Sequence, residues 1–350
     1  DFSNMLANLT SRQNRGLLLL VIGLFSYIIY TKSTEADRLQ QDLMLQTLAE
    51  VRDQGAAAAA AAAAAAVADP AAAVDAPAAA VATPANKFYT DEDGNEIPLF
   101  DDNTLYPKPG GGFCDMAPIA DKEEYFQVME NTEVECKDMQ KFNLYQLCLD
   151  GFKNRDNCVV LSFGISFMFG YEDSLIDRLG CVAYSFDPTM NTEDYVRKDG
   201  KDKFYNLGIS SFKGVKTMNY EKRRDLTCKV DRYVNIVKML GLIDRQIDFL
   251  KIDVEGSELD FFLDTASNHP ELLENVWQFQ LEFHNMEECC YWHSGNSKTT
   301  TQFDMMKIVR ILHCHGFKLA HTRWNPNPKL HFQYNGKERS VAYVTTWIRV

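Results

Sequence analysis

The stretch IDFLKIDVEGSELDFF, residues 247–262, sets four carboxylates in an otherwise apolar run. Residues 247–254 are short, apolar and partly β-branched, as in a buried strand, and SELDFFLDTA after them reads as a helix. In an open parallel sheet, ligands bind in the crevice beyond the carboxyl ends of the strands. Asp253 and Glu255 are therefore expected at that crevice. Asp248, at the other end of the strand, is expected to be solvated. Glu258 falls in the first turn of the helix, where a negative charge complements the helix dipole.

Six further runs extend the pattern: CVVLSF (158–163), CVAYSF (181–186), the weaker FYNLGI (204–209), VWQFQLEFH (276–284), FKLAHTRW (317–324) and VAYVTTWIRV (341–350). Between them EEYFQVME, YEDSLIDRL, KVDRYVNIVKML (229–240) and TQFDMMKIVRILHCHG (301–316) carry helical spacing. Strands separated by helices imply a parallel sheet with right-handed crossovers. The last two runs have no room for a crossover and must form an antiparallel hairpin. The expected fold is α/β: a Rossmann-like, seven-stranded, mostly parallel sheet with a C-terminal antiparallel hairpin.

The first eighty or so of the 350 residues do not read as globular. Residues 16–30, GLLLLVIGLFSYIIY, form an uncharged apolar run preceded by Arg12 and Arg15. The charge bias keeps residues 1–15 as a short cytosolic tail and makes 16–30 a transmembrane signal anchor. A signal peptide cleaved near Ala36, releasing a secreted chain, is the competing reading. Residues 31–112 read as a stalk, open to self-association through residues 35–54, then an Ala/Pro-rich spacer and a linker. The folded domain is expected over 113–350, in the lumen of the secretory pathway, ER or Golgi, on a single-pass type II protein. All nine cysteines lie beyond the apolar run, so some should pair in such a compartment. A net charge of −13 argues against a nucleic-acid partner.

Gly164 directly follows the first strand of the domain, where a backbone must turn close to a ligand. Asp187 ends the second, placed to accept the hydroxyls of an adenosine ribose. Asp187-Pro188 is also a turn initiator. From about residue 136 onward the chain resembles the class I S-adenosylmethionine-dependent methyltransferases, within them the FkbM-like branch, and most closely the eukaryotic methyltransferase-like 24 group. The resemblance rests on LCLDGFKNRDNCVVLSFGI, CVAYSFDPT, IDFLKIDVEGSELDFF, VWQFQLEFH and GFKLAHTRWNPN. It implies S-adenosyl-L-methionine as cofactor, with Gly164 marking the cofactor loop, Asp187 as the ribose acid and Glu172 against the cofactor. It also implies Asp253 near the methyl-transfer centre. Glu282 and His284, at the end of the fifth strand, are expected to face the same crevice.

A hydroxyl acceptor needs its proton removed, and His284 is the candidate base. Asp253 could orient that imidazole, act as base itself, or bind a divalent cation with Glu255 and Glu282. No ligand spacing supports the cation, and no metal site is assigned. HNMEECCYWH (284–293) offers zinc-capable groups, but adjacent cysteines seldom share a tetrahedral ion. The family's G-x-G-x-G loop is incomplete, with Ser166 and Met168 where glycines stand, and Phe167 to Phe169 are bulky beside a cofactor. The expected function is O-methylation of a small molecule or glycan by a membrane-anchored enzyme. A catalytically inactive binding or scaffold ectodomain competes with it. A dehydrogenase shares the strand-glycine-strand-acid pattern but lacks the terminal hairpin.

Overall fold

The computed structural model describes residues 87–90, 94–101, 103–152, 158–220, 223–284 and 301–350. The expected cytosolic tail, anchor and Ala/Pro-rich stalk lie outside these residues, as do Cys289, Cys290, Trp292 and His293. Among the described residues no helix is long and apolar enough to cross a membrane.

The main sheet has eight strands rather than the expected seven, the short antiparallel edge strand β3 being the addition: β1 (Val159–Phe163), β2 (Val182–Phe186), β3 (Tyr195–Arg197), β4 (Asp202–Tyr205), β5 (Ile247–Ile252), β6 (Val276–His284), β7 (Phe317–Trp324) and β8 (Ala342–Arg349). Their order is β7-β8-β6-β5-β1-β2-β4-β3. β6, β5, β1, β2 and β4 pair in parallel, and β8 is antiparallel to both β6 and β7. The expected terminal hairpin is present, inserted so that β8 lies between its partners. The strand order reverses between β1 and β5, which makes their carboxyl ends the switch point. β1 and β5 are buried along their whole length, as central parallel strands must be.

Helix α1 (Lys122–Met129), α3 (Tyr233–Met239), α4 (Glu258–Asn268) and α5 (Gln302–Cys314) share one apolar core with the sheet, including Phe163, Phe279 and Trp347. α2 (Gly170–Leu179) and the hairpin Met139–Phe142/Tyr145–Cys148 cover Val160, Ala183 and Phe249 on the other face. Local chemistry sets the helix ends. Thr301 and Asp304 form a reciprocal capping box at the start of α5, and Gly180 closes α2 in the left-handed region.

Several expectations are corrected. The weak run 204–209 is split. Asn206 donates its N–H to Asp194 and Leu207 to Tyr205, so the ladder breaks after β4, and Gly208–Ser210 joins a separate three-stranded sheet. The rest of that sheet is the hairpin Gly214–Tyr220/Arg223–Arg232. Residues 229–232, expected in a helix, belong to it, because Val230 and Arg232 pair with Gly208 and Ser210. Asp248 is buried rather than solvated, its carboxylate accepting the Val159 N–H at 2.9 Å. Folded structure also begins before Phe113. Lys87–Thr90 and Glu96–Leu99 form a hairpin, Asn95 donates to the Val215 carbonyl at 2.5 Å, and Tyr106 joins the core.

Disulfides join Cys114 to Cys314, Cys136 to Cys148 and Cys158 to Cys181, while Cys228 is a buried thiol. The first ties the segment entering the domain to the last residue of α5, across a sequence separation of 200. Replacing both Cys114 and Cys314 by serine should cost about 2–5 kcal/mol of stability, read from chemical denaturation. An unchanged midpoint would show that this crosslink does not constrain the unfolded chain.

Candidate active site

Beyond the carboxyl ends of β1, β2, β5 and β6 lies a cavity of about 280 Å³. Gly164, Asp187, Asp253, Glu282 and His284 all line it, so five of the six expected site residues converge on one hollow. Glu172 does not. It is buried in α2 behind the sheet, where Ser162 donates to its carboxylate at 2.5 Å. Burial pushes its carboxyl up, against the nearby Lys251 charge.

The loop after β1 is shaped by two contacts. Gly164 has φ +85°, and a Cβ there would stand 1.7 Å from the carbonyl oxygen of Asp253. Only a residue without a side chain lets the two strand ends approach this closely. Asp187 grips the same loop from β2. One carboxylate oxygen accepts the N–H groups of Ile165 and Ser166 at 2.9 and 2.7 Å. The other accepts the Thr189 N–H at 2.8 Å and its hydroxyl at 2.6 Å. These four bonds match the roughly four acceptor sites of a carboxylate. In this conformation Asp187 is a loop clamp on the cavity wall. Of the bulky loop residues only Met168 lines the hollow, and the two phenylalanines stay out of it. Phe167 is exposed, and Phe169 packs against Tyr195 and Phe204 beneath the Arg197 guanidinium.

The cavity lining is of two chemical kinds. Phe186, Pro188, Ile209 and Val230 are among its apolar residues. Asp253, Glu255, Glu282 and His284 lie close together and make a carboxylate-rich wall. The His284 Nδ1 is 2.9 Å from Oε1 of Glu258. Its Nε2 faces Glu255 at 3.6 Å and Asp253 and Glu282 at 3.8 Å each. Burial disfavours a charged ring, but Glu255, Glu258 and Glu282 together outweigh it and hold the imidazole well above its usual range. Carboxylates that favour the protonated ring weigh against His284 as the base while no other cation stands beside it. Burial raises the Glu255 carboxyl to about 7, partly opposed by His284. Burial and then Asp253 raise Glu282. Glu255 also sits at φ +53°, a strained backbone for a side chain, of the kind that collects at functional sites.

Three contributors were not expected from sequence. Tyr145, on the 139–148 hairpin, donates its hydroxyl to Asp253 at 2.9 Å. Asn325, just past β7, donates to Glu282 at 2.5 Å. Lys216, from the inserted hairpin, lines the cavity and donates to Ser257 at 2.8 Å. Asn325 had a signal in WNPN, a turn directly after a strand. Tyr145 and Lys216 had none, since both reach the site from segments outside the strand-helix pattern.

Gly164→Ala should remove more than about 3 kcal/mol of stability, because the new Cβ meets backbone and the φ is left-handed. A melting temperature within a degree or so of the parent would show that the loop approaches β5 less closely.

A search of curated proteins finds no match to this chain. Residues 144–314 match the family model of a methyltransferase domain. Every cavity-lining position from Leu144 to His284 falls inside that match. The α/β sheet, mostly parallel, fits a methyltransferase fold, and the match supports placing this part of the chain in a methyltransferase family.

Proposed function

We propose that the domain is an S-adenosylmethionine-dependent methyltransferase acting on an oxygen of a small molecule or glycan. One observation carries the reading: a single hollow at the switch point is lined both by apolar side chains and by a cluster of carboxylates. The residues fit the cofactor. Phe186, Pro188, Ile209 and Val230 offer an apolar surface to a flat base, and the carboxylates offer a negative field to a sulfonium. When bound, S-adenosylmethionine supplies an activated methyl group. The chain's part is then to hold an acceptor in line and exclude water, which accounts for most of the acceleration when the donor is already reactive. Asp253, braced by Tyr145, and Glu282, braced by Asn325, would bind the acceptor hydroxyl and take its proton. His284 would position them rather than act as the base.

The finer assignment, an FkbM-like enzyme nearest the methyltransferase-like 24 group, rests on the KIDVEGSE stretch. Anchoring in a secretory-pathway membrane with the domain in the lumen rests on the apolar run 16–30. The three disulfides favour an oxidising compartment. A cofactor-free scaffold is favoured by one feature, the Asp187 carboxylate saturated by the protein's own donors.

Titration with S-adenosylmethionine, S-adenosylhomocysteine and NAD, followed by thermal shift and calorimetry, decides between these. Either adenosyl compound at about 100 times its Kd should add about 2.7 kcal/mol of stability. No response to either would favour the scaffold, and a response to NAD alone would favour a dehydrogenase.

A further inference from the structure

The notable feature of the carboxylate wall is its spacing. Asp253, Glu282 and His284 come from the ends of two adjacent strands, and one donor atom from each lies within 4.8 Å of the others. His284 is only 8% exposed, and its Nδ1 is engaged by Glu258. Its Nε2 therefore points into the group, with the nearest carboxylate oxygens at 3.6–3.8 Å. That is too long for a hydrogen bond. It is instead the separation expected between ligands of one ion, because metal–ligand bonds of about 2.0–2.6 Å give edges of roughly 3–4 Å.

We propose that Asp253, Glu282 and His284 form a divalent-cation site in the cavity, with Glu258 as the partner that orients the histidine. Three independent observations agree. The donor set of two carboxylates and one imidazole suits a divalent ion. Each ligand has a second partner fixing its direction: Glu258 on His284, Tyr145 on Asp253 and Asn325 on Glu282. Such outer contacts orient ligands in metal sites generally. Finally, four carboxylates, those of Asp253, Glu255, Glu258 and Glu282, crowd one imidazole, with Lys251 as the nearby lysine. Glu258 and Glu282 are buried and Asp253 and Glu255 half-buried, and negative charge in excess there is costly unless a cation neutralises it. The other described group of this kind, Cys136, Cys148 and Asp150, has both sulfurs committed to a disulfide.

Three protein ligands leave coordination positions open toward the cavity. With an ion present, Asp253 and Glu282 would serve as ligands rather than bases; an acceptor hydroxyl bound there would be acidified by the ion and could pass its proton to Glu255, whose carboxylate also lines the hollow. That use of the ion rests on the methyltransferase reading. The site itself does not.

The test is Mn²⁺ binding to the full chain after chelator treatment, without cofactor. One Mn²⁺ per chain should bind, and pulsed EPR should show ¹⁴N coupling from the imidazole. D253N, E282Q and H284A should each weaken binding at least tenfold, while D150N should leave it unchanged. Absence of binding, binding without nitrogen coupling, or equal affinity in the three variants would overturn the site. The nitrogen signal is read on the parent protein, so it decides the matter even if a variant fails to fold. S-adenosylhomocysteine affinity measured in EDTA separates the two proposals. Cofactor binding without Mn²⁺ binding removes the cation site alone, and the converse removes the methyltransferase reading alone.

Discussion

The carboxylate of Glu258 ties together three parts of the chain at the rim of the cavity. It sits in the first turn of α4 and accepts the N–H groups of Val254 and Gly256 at 2.9 and 2.8 Å, which holds the loop leaving β5. The same Oε1 meets Nδ1 of His284 at the end of β6. Hydrogen bonds to a buried charged group contribute about 1.5–3 kcal/mol each, and leaving the group unpaired costs more. Through this one side chain the left-handed turn at Glu255 is held and the imidazole is aimed. Without it the imidazole would lose the contact that aims it at Asp253 and Glu282.

A second constraint lies under the loop after β1. Lys251 is buried in β5, where it donates to the carbonyl of Gly164 and stands 3.4 Å from the Asp253 carboxylate. The sheet face toward α2 thus carries a largely paired polar layer rather than a purely apolar one, with Oε2 of Glu172 left without a partner. Gln280 accepts the Tyr171 hydroxyl, and Gln278 exchanges hydrogen bonds with the backbone of Cys148. Buried polar groups persist only when paired. Here the pairing fixes the cavity floor from behind, with Asp187 gripping the same loop from β2. Glu172 belongs to this layer, which is why a residue expected at the cofactor is found behind the sheet.

Much of the fold was legible because buried parallel strands and amphipathic helices write their periods into the chain. β1, β2, β5 and β6 lie within a residue or two of the expected runs, and α2, α4 and α5 likewise. The failures share a cause. Residues 229–232 carry spacing compatible with either period, and only pairing with Gly208–Ser210 makes them a strand. Residues 86–112 look like linker by composition, yet Tyr106 finds a core contributed by distant elements. Asp248 looked solvent-facing because a sequence does not show which backbone N–H will stand across from it.

Residue order alone was enough to specify an α/β sheet, to locate its crevice, and to nominate Gly164, Asp187, Asp253, Glu282 and His284, since these depend on local period and on position relative to strand ends. Tertiary structure decided their roles. Proton affinity, ligand spacing and the direction of an imidazole depend on which charges come within 4 Å. In this protein those charges arrive from the ends of two strands and a helix turn, and the groups that brace them from a distant hairpin and the loop after β7.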